Sequence, residues 1–464
     1  MSEVKRLEAL IDSGDLAGAR RLCLDGLGKD PLDPALNEAL VRIIKGTGDH
    51  DALRAQIGRV METSRKVPKR TYSALGSFAF YALPPPGNAE LSSVLYMRAH
   101  REYPDVPWYY LIIGDIHLYS GKKDEALAEY RLALEEVDPS LLTRDSTSVH
   151  RYLLKRIANI YYEKSDFAAA AGAFEEFRRM KAYSFYVTDC NRYVDSLAAL
   201  GRYDDAVEVL MENLEKMPNK GPLRAKFVEF MERYSDRVSG EFELPPRTLP
   251  ERKGLPERIP VETGIVTEAD DMVEVVREKT SGIARPGDLV ALAESVTAIT
   301  EGRAISVETI EPSFVATRLA AMVQKRSQMA PLGSPHGMQV AIDEVGRGRV
   351  LLGLVGGLYD AVTRGKGHFY SLAGMQTALV DDMSGGMPPY DHHVIKGPRD
   401  PDATALRVKQ QTGLDCCIVD ANDQQIAWVI GASEGVDRKH IEQVLSDNPA
   451  GNEDQKTPII LIRP

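Results

Sequence analysis

The chain has 464 residues, 43% of them hydrophobic, and a formal net charge of -11. At roughly 150 residues per domain this length suits two to four domains, and the acidic balance excludes a general nucleic-acid binder, which needs basic excess to displace counterions. No apolar stretch approaches the ~18 residues of a membrane span, and the 4 cysteines form neither a disulfide framework nor a metal-spaced set.

The first fifteen residues are charged and helix-like, unlike a secretory signal. With reduced cysteines this places the chain in the cytoplasm. Residues 1–240 read as helix pairs. From Trp108 the order Gly114, His117, Gly121, Ala126, Tyr130, Ala133, Pro139 puts small residues where two helices meet and aromatics between neighbouring pairs. Ala158, Tyr161, Ala170 and Phe174 repeat the pattern, as do Val194, Leu197, Gly201, Ala206, Leu210 and Pro218. A weaker copy holds Leu7, Gly14, Ala19 and Pro31. The spacings from Ala126 to Ala170 (170 - 126 = 44) and from Ala170 to Ala206 (206 - 170 = 36) fit the roughly 34-residue tetratricopeptide period with extended helices or inserted loops. Such pairs stack and leave a concave surface for a peptide or another protein. The alternative is that the array only supports the C-terminal domain. Tyr109, Tyr110, Tyr161 and Tyr162 read as packing. The loop from Ala82 to Gly87 separates an N-terminal helix group from the better repeats.

Residues 241–260 hold Pro245, Pro246, Pro250, Pro256 and Pro260, a density that favours an extended connector. Residues 261–464 mix strands and helices. A helix is expected over 270–278, a buried strand over 288–293, and helices over 314–323 and 403–411. The runs at 415–420 and 425–430 suit a hairpin. The glycine-rich stretch 350–358 lacks the Gly-Lys-Ser/Thr of a P-loop and reads as close packing.

Acids and amides punctuate the last third: Asp381-Asp382, Asp420 after an apolar run, and Asn452 ahead of another strand. They fit turn formers. They also fit oxygen ligands for a hard divalent cation beside a nucleotide phosphate. His392-His393 reads as a solvated loop pair, with nitrogen ligation as the alternative. Cys416 and Cys417 should face opposite sides of a strand as core residues.

Three tracts carry a family resemblance. Gly287 to Arg303, Gly397 to Arg407 and Gly451 to Arg463 resemble, in order, motifs of the coenzyme F-420 gamma-glutamyl ligase family. The resemblance spans roughly 260 to 464. It implies a C-terminal α+β ligase-like domain; the N-terminal all-α tetratricopeptide-like helical repeats, read from periodicity, are an addition to the usual family architecture and make the chain multidomain. It implies GTP-dependent joining of L-glutamate to a small-molecule acid through an acyl phosphate, with magnesium or manganese. It also implies pairing into a homodimer. Carried over by position, Thr263, Gly264, Ile265, Val266, Glu294 and Ser295 contact the nucleotide, and Asp382, Asp420 and Asn452 bind metal. Asp381 can replace Asp382 in that alignment. The chain departs from the family at Ile299, where a lysine is expected, at Ala421 for a threonine, and at Gly385 for an asparagine. These losses leave open a domain that binds without turnover.

Overall fold

The computed structural model describes residues 3–85, 87–136, 149–180, 185–248, 254–324, 332–350, 352–353, 374–381, 387–422, 426–451 and 455–464. The glycine-rich stretch lies almost wholly outside them.

Thirteen helices make up the described N-terminal half: α1 (Glu3–Asp12), α2 (Leu16–Lys29), α3 (Pro34–Thr47), α4 (His50–Glu62), α5 (Lys69–Ala82), α6 (Gly87–Glu102), α7 (Trp108–Tyr119), α8 (Lys123–Glu136), α9 (Val149–Glu163), α10 (Phe167–Arg179), α11 (Val187–Ala199), α12 (Tyr203–Lys216) and α13 (Gly221–Tyr234). This half is an all-α array of tetratricopeptide-like pairs. Their starts are written locally. Asp15, Asp33, Asp49 and Asp166 each accept a backbone N–H from the first turn of the next helix. Gly121 and Gly201 close α7 and α11 at positive φ, where other residues are strained.

Gly114 shows why the pairs need small residues. A Cβ there would lie 2.2 Å from the Tyr130 ring. Tyr130 is fully buried and donates its hydroxyl to Asp115 at 2.5 Å, so it cannot yield. Gly114→Ala is therefore expected to destabilise by about 1–3 kcal/mol through overpacking. Alanine's better helix propensity returns only about 1 kcal/mol. The urea midpoint should fall at unchanged slope; an unchanged midpoint would show that the ring can move.

The loop after Ala82 does not separate two helix groups. Helices α5 and α6 pack on each other across it, with Ser92 bonded to the Gly76 carbonyl at 2.8 Å. Pro84 and Pro85 follow the end of α5 without interrupting the stack.

The C-terminal part contains β1 (Glu257–Val261), α14 (Met272–Thr280), β2 (Leu289–Ala293), α15 (Glu294–Thr300), β3 (Ala304–Ser306), α16 (Phe314–Gln324), α17 (Pro335–Val345), α18 (Met375–Ala378), β4 (His393–Ile395), α19 (Pro401–Thr412), β5 (Asp415–Asn422), β6 (Ile426–Ala432), α20 (Arg438–Leu445) and β7 (Ile459–Arg463). The last residues of the expected connector thus form an edge strand, a place that tolerates Pro260. The main sheet runs β1-β7-β2-β5-β6; β2 and β5 are parallel and the other pairings antiparallel. The hairpin expected near 415–430 is β5–β6. Val290, Leu292, Cys416 and Ile418 pack on one face, and Ala291, Cys417 and Val419 on the other. Strand alternation alone divides the two cysteines. A small sheet pairs β3 with β4, and Asp381 bridges to Ile395 at its edge.

The two parts are packed together. One apolar cluster runs from the array into the second part, taking in Tyr96, Tyr109, Val307, Met338 and Val394. Polar contacts come from alternate helices. Lys45 on α3 donates to the Asp270 and Thr300 carbonyls. On α5, Lys69 pairs with Glu311 at 3.3 Å and Ser77 bonds Glu268. On α9, Arg156 reaches Asp391 with two bonds of 2.9 Å.

Candidate active site

Sheet topology gathers one rim. Ala293 ends β2 beside Val419 of β5, and the two strands are parallel, so Glu294 and Asp420 emerge together. Strand β7 is antiparallel to β2 and pairs Ile459 with Leu292, bringing Lys456 to Pro458 to the same edge. Strand β1 pairs Val261 with Ile459, so the loop after it arrives there too. The Thr263 N–H donates to the Lys456 carbonyl at 2.9 Å and pins that loop. Ligand crevices in open α/β sheets form outside strand ends in this way.

A cavity of about 360 Å³ opens at this rim. Gly264, Ile265, Val266, Glu294, Ser295 and Asp420 line it, and Thr263 is next in the chain. Asp381 lines it as well, carried in by its bridge to β4. Asp382 and Asn452 lie outside the described residues, as does Gly385. Ile299 and Ala421, two points of departure from the family, also face the cavity.

The electrostatics are those of crowded carboxylates. Glu294 is only 5% exposed, and no hydrogen bond reaches its Oε1. Burial pushes its carboxyl well above the usual range, and the charges of Asp381 and Asp420 push it further; Arg303 draws it partly back. Burial also raises Asp420. Arg303 itself is buried and held by Glu344 at 2.6 Å and Gln376 at 3.0 Å.

Among the described residues, no three His, Cys, Asp or Glu side chains close a metal site by themselves. Magnesium needs no such cage. It keeps several waters and binds through one or two carboxylates plus substrate phosphate. An unpartnered buried Glu294 oxygen and two neighbouring aspartates suit that hard cation.

His392 and His393 are not a solvated pair. His392 is buried, with its ring stacked on Trp108 of the array at 6.0 Å. Burial, then the neighbouring His392, drives His393 well below its usual value. Loop sequence suggested solvent; the array covers the loop instead. Burial raises the Cys416 thiol and pushes Cys417 up to about 12, so both stay protonated core groups.

Sequence reading missed three wall elements. Lys456 lines the cavity from within the last motif tract, where it passed as one polar residue among several. Met387 and Tyr390 line it from a proline-rich stretch with no motif.

A helical-repeat array thus packs against an α+β domain with a carboxylate-rimmed crevice. Residues 260–419 of that domain match the F420-0:Gamma-glutamyl ligase family, which makes this region ligase-like. No curated protein matches the chain. Similar solved structures include PilF of Pseudomonas aeruginosa, at 13% identity and TM-score 0.31 over 50% of this chain and 95% of that one. PilW, a type IV pilus biogenesis factor, gives 13% and 0.31 over 48% and 96%. BtubC of P. vanneervenii gives 17% and 0.30 over 53% and 98%. No described helix is long and apolar enough to cross a membrane.

Proposed function

We propose that the C-terminal domain is a nucleotide- and divalent-cation-dependent amide ligase that joins an amino acid, in the family L-glutamate, to a small-molecule acid. The observation that carries this reading is the coincidence of the carboxylate-rimmed crevice with the ligase-family match. Asp420, Glu294 and Asp381 would hold magnesium or manganese, with Asp382 and Asn452 as the further ligands the resemblance implies. When bound, the cation neutralises nucleotide phosphate and the charge that develops on the transferred phosphoryl group. The chain's own residues supply the rest. Lys456 offers a cation to phosphate. Gly264, at φ +79°, turns the pinned loop along the rim. Ile265, Val266 and Ile299 supply an apolar part of the lining. Pairing of two copies and a cytoplasmic location belong to the same reading. A protein or peptide partner of the repeats would use faces that the second domain does not cover.

A second reading is a binding module without turnover. It is favoured by Ile299 and Ala421, which put apolar groups in the crevice where the family has a phosphate-facing lysine and a threonine. Incubation with manganese, GTP, L-glutamate and the deazaflavin acceptor separates the two. The ligase reading expects GDP, phosphate and a glutamylated product. Nucleotide binding without amide formation moves the search to other carboxylate acceptors. If neither manganese nor GTP shifts the melting temperature, both ligand-binding readings fall and the domain serves as a non-catalytic scaffold. A ligand at 100 times its Kd stabilises by about 2.7 kcal/mol, which a melt resolves.

Glu294→Gln gives a sharper check. A carboxyl raised in the fold takes up a proton on folding, so its contribution is full below its unfolded value of about 4.3 and is lost as pH rises from there through the raised folded value. The variant lacks that decline. In metal-free buffer at pH 8 it should be more stable than the parent, because the buried charge is gone. It should also lose most of the stabilisation manganese confers. Equal manganese response in both proteins would remove Glu294 from the site.

A further inference from the structure

We infer that the helical array is a working part of the crevice: Arg156 on α9 and Ser77 on α5 are positioning residues that hold the 387–392 wall against the carboxylate rim. This rests on the ligand-binding reading of the crevice given above.

The wall touches the cavity through Met387, Pro388 and Tyr390. Three consecutive side chains of this segment are committed to the array. The Tyr390 ring stacks on Tyr81 of α5 at 6.4 Å, and its hydroxyl bonds Glu268, which also takes the Ser77 hydroxyl. Asp391 receives both Arg156 bonds. His392 stacks on Trp108 of α7. The chain then enters β4, where Ile395 exchanges backbone bonds with Asp381 at 2.8 and 3.0 Å. A continuous run of contacts therefore leads from α9, through Asp391 and β4, to a carboxylate of the rim.

Asp391 is not needed to neutralise Arg156. Within the array, Arg156 already pairs with Asp115 through bonds of 2.9 and 3.0 Å. The second carboxylate adds no cation partner that the array lacks; it fastens the wall. The covered faces belong to α5, α7 and α9, so this stretch of the array takes the chain's own second domain as its ligand.

The test uses the full chain and Asp391→Asn, which leaves the Arg156–Asp115 pair intact. Hydrogen exchange should rise at least tenfold at the amides of Asp381, Met387 and 390–395, while α9 stays protected. Calorimetric affinity for GTP with manganese should fall at least tenfold. Lys226→Met breaks an array ion pair with Asp195 that touches no wall residue, and should change neither readout. Unchanged exchange in the folded variant overturns the inference. So does raised exchange with unchanged affinity. If the parent itself binds neither manganese nor GTP, the ligase reading falls, and exchange alone decides whether the array holds the wall. Should Asp391→Asn not fold, Ser77→Ala removes only one hydroxyl and should move both readouts the same way, about threefold.

Discussion

Replacing Arg156 by methionine is expected to lower stability by about 3–5 kcal/mol, the usual cost of stripping the partner from a buried charge. Arg156, Asp115 and Asp391 have side-chain exposures of 5%, 7% and 1%. The guanidinium makes four bonds to two carboxylates, so its loss leaves two anions buried together. The pH dependence should change sign. In the parent, burial pushes the Asp391 carboxyl up, but Arg156 and His392 outweigh it and hold it well below the usual range. Its contribution is therefore complete above about pH 4 and is lost only as pH falls below that. Without Arg156, burial acts unopposed by that cation and the folded value rises above the unfolded one. The variant should then regain stability as pH is lowered from 7 to 5. Chemical denaturation at the two pH values reads both effects. A loss under 1 kcal/mol, or the same pH slope in both proteins, would show that water reaches the pair.

Replacing Asp420 by alanine should weaken manganese binding about a hundredfold, or ~2.7 kcal/mol. Asp420 is a charged oxygen donor at the end of a buried strand, and burial has already raised its carboxyl. Such a group gains more from a cation than an exposed aspartate does. Asp415, at the opposite end of the same strand, is a matched control. It pairs with Lys409 at 2.6 Å and does not line the crevice. Asp415→Ala should leave the affinity unchanged. Calorimetry showing equal manganese affinity for Asp420→Ala and the parent would place any cation elsewhere.

Much of the architecture was legible in the chain. Helix starts announce themselves because an aspartate side chain caps the turn just after it, as Asp33 and Asp166 do. The Gly114–Tyr130 fit could be read because a glycine and an aromatic at repeat spacing have one economical packing. Strand alternation was enough to send Cys416 and Cys417 to opposite sheet faces. Thr263 to Val266, Glu294, Ser295 and Asp420 could be singled out by resemblance, since short motifs carry local chemistry.

What brought those residues together is not local. Glu294 and Asp420 meet because β2 and β5 are parallel neighbours, and Lys456 joins them because β7 runs the other way. Strand order and direction depend on pairings between distant segments, which periodicity cannot specify. The fate of 387–393 was also undecided by its own residues. The two histidines read as a solvated loop pair, yet Asp391 and His392 are buried because Arg156 and Trp108, far upstream in the chain, supply a charge partner and a ring to stack on. A carboxylate that stays ionised when buried needs its cation, and only the folded chain shows that the cation is there.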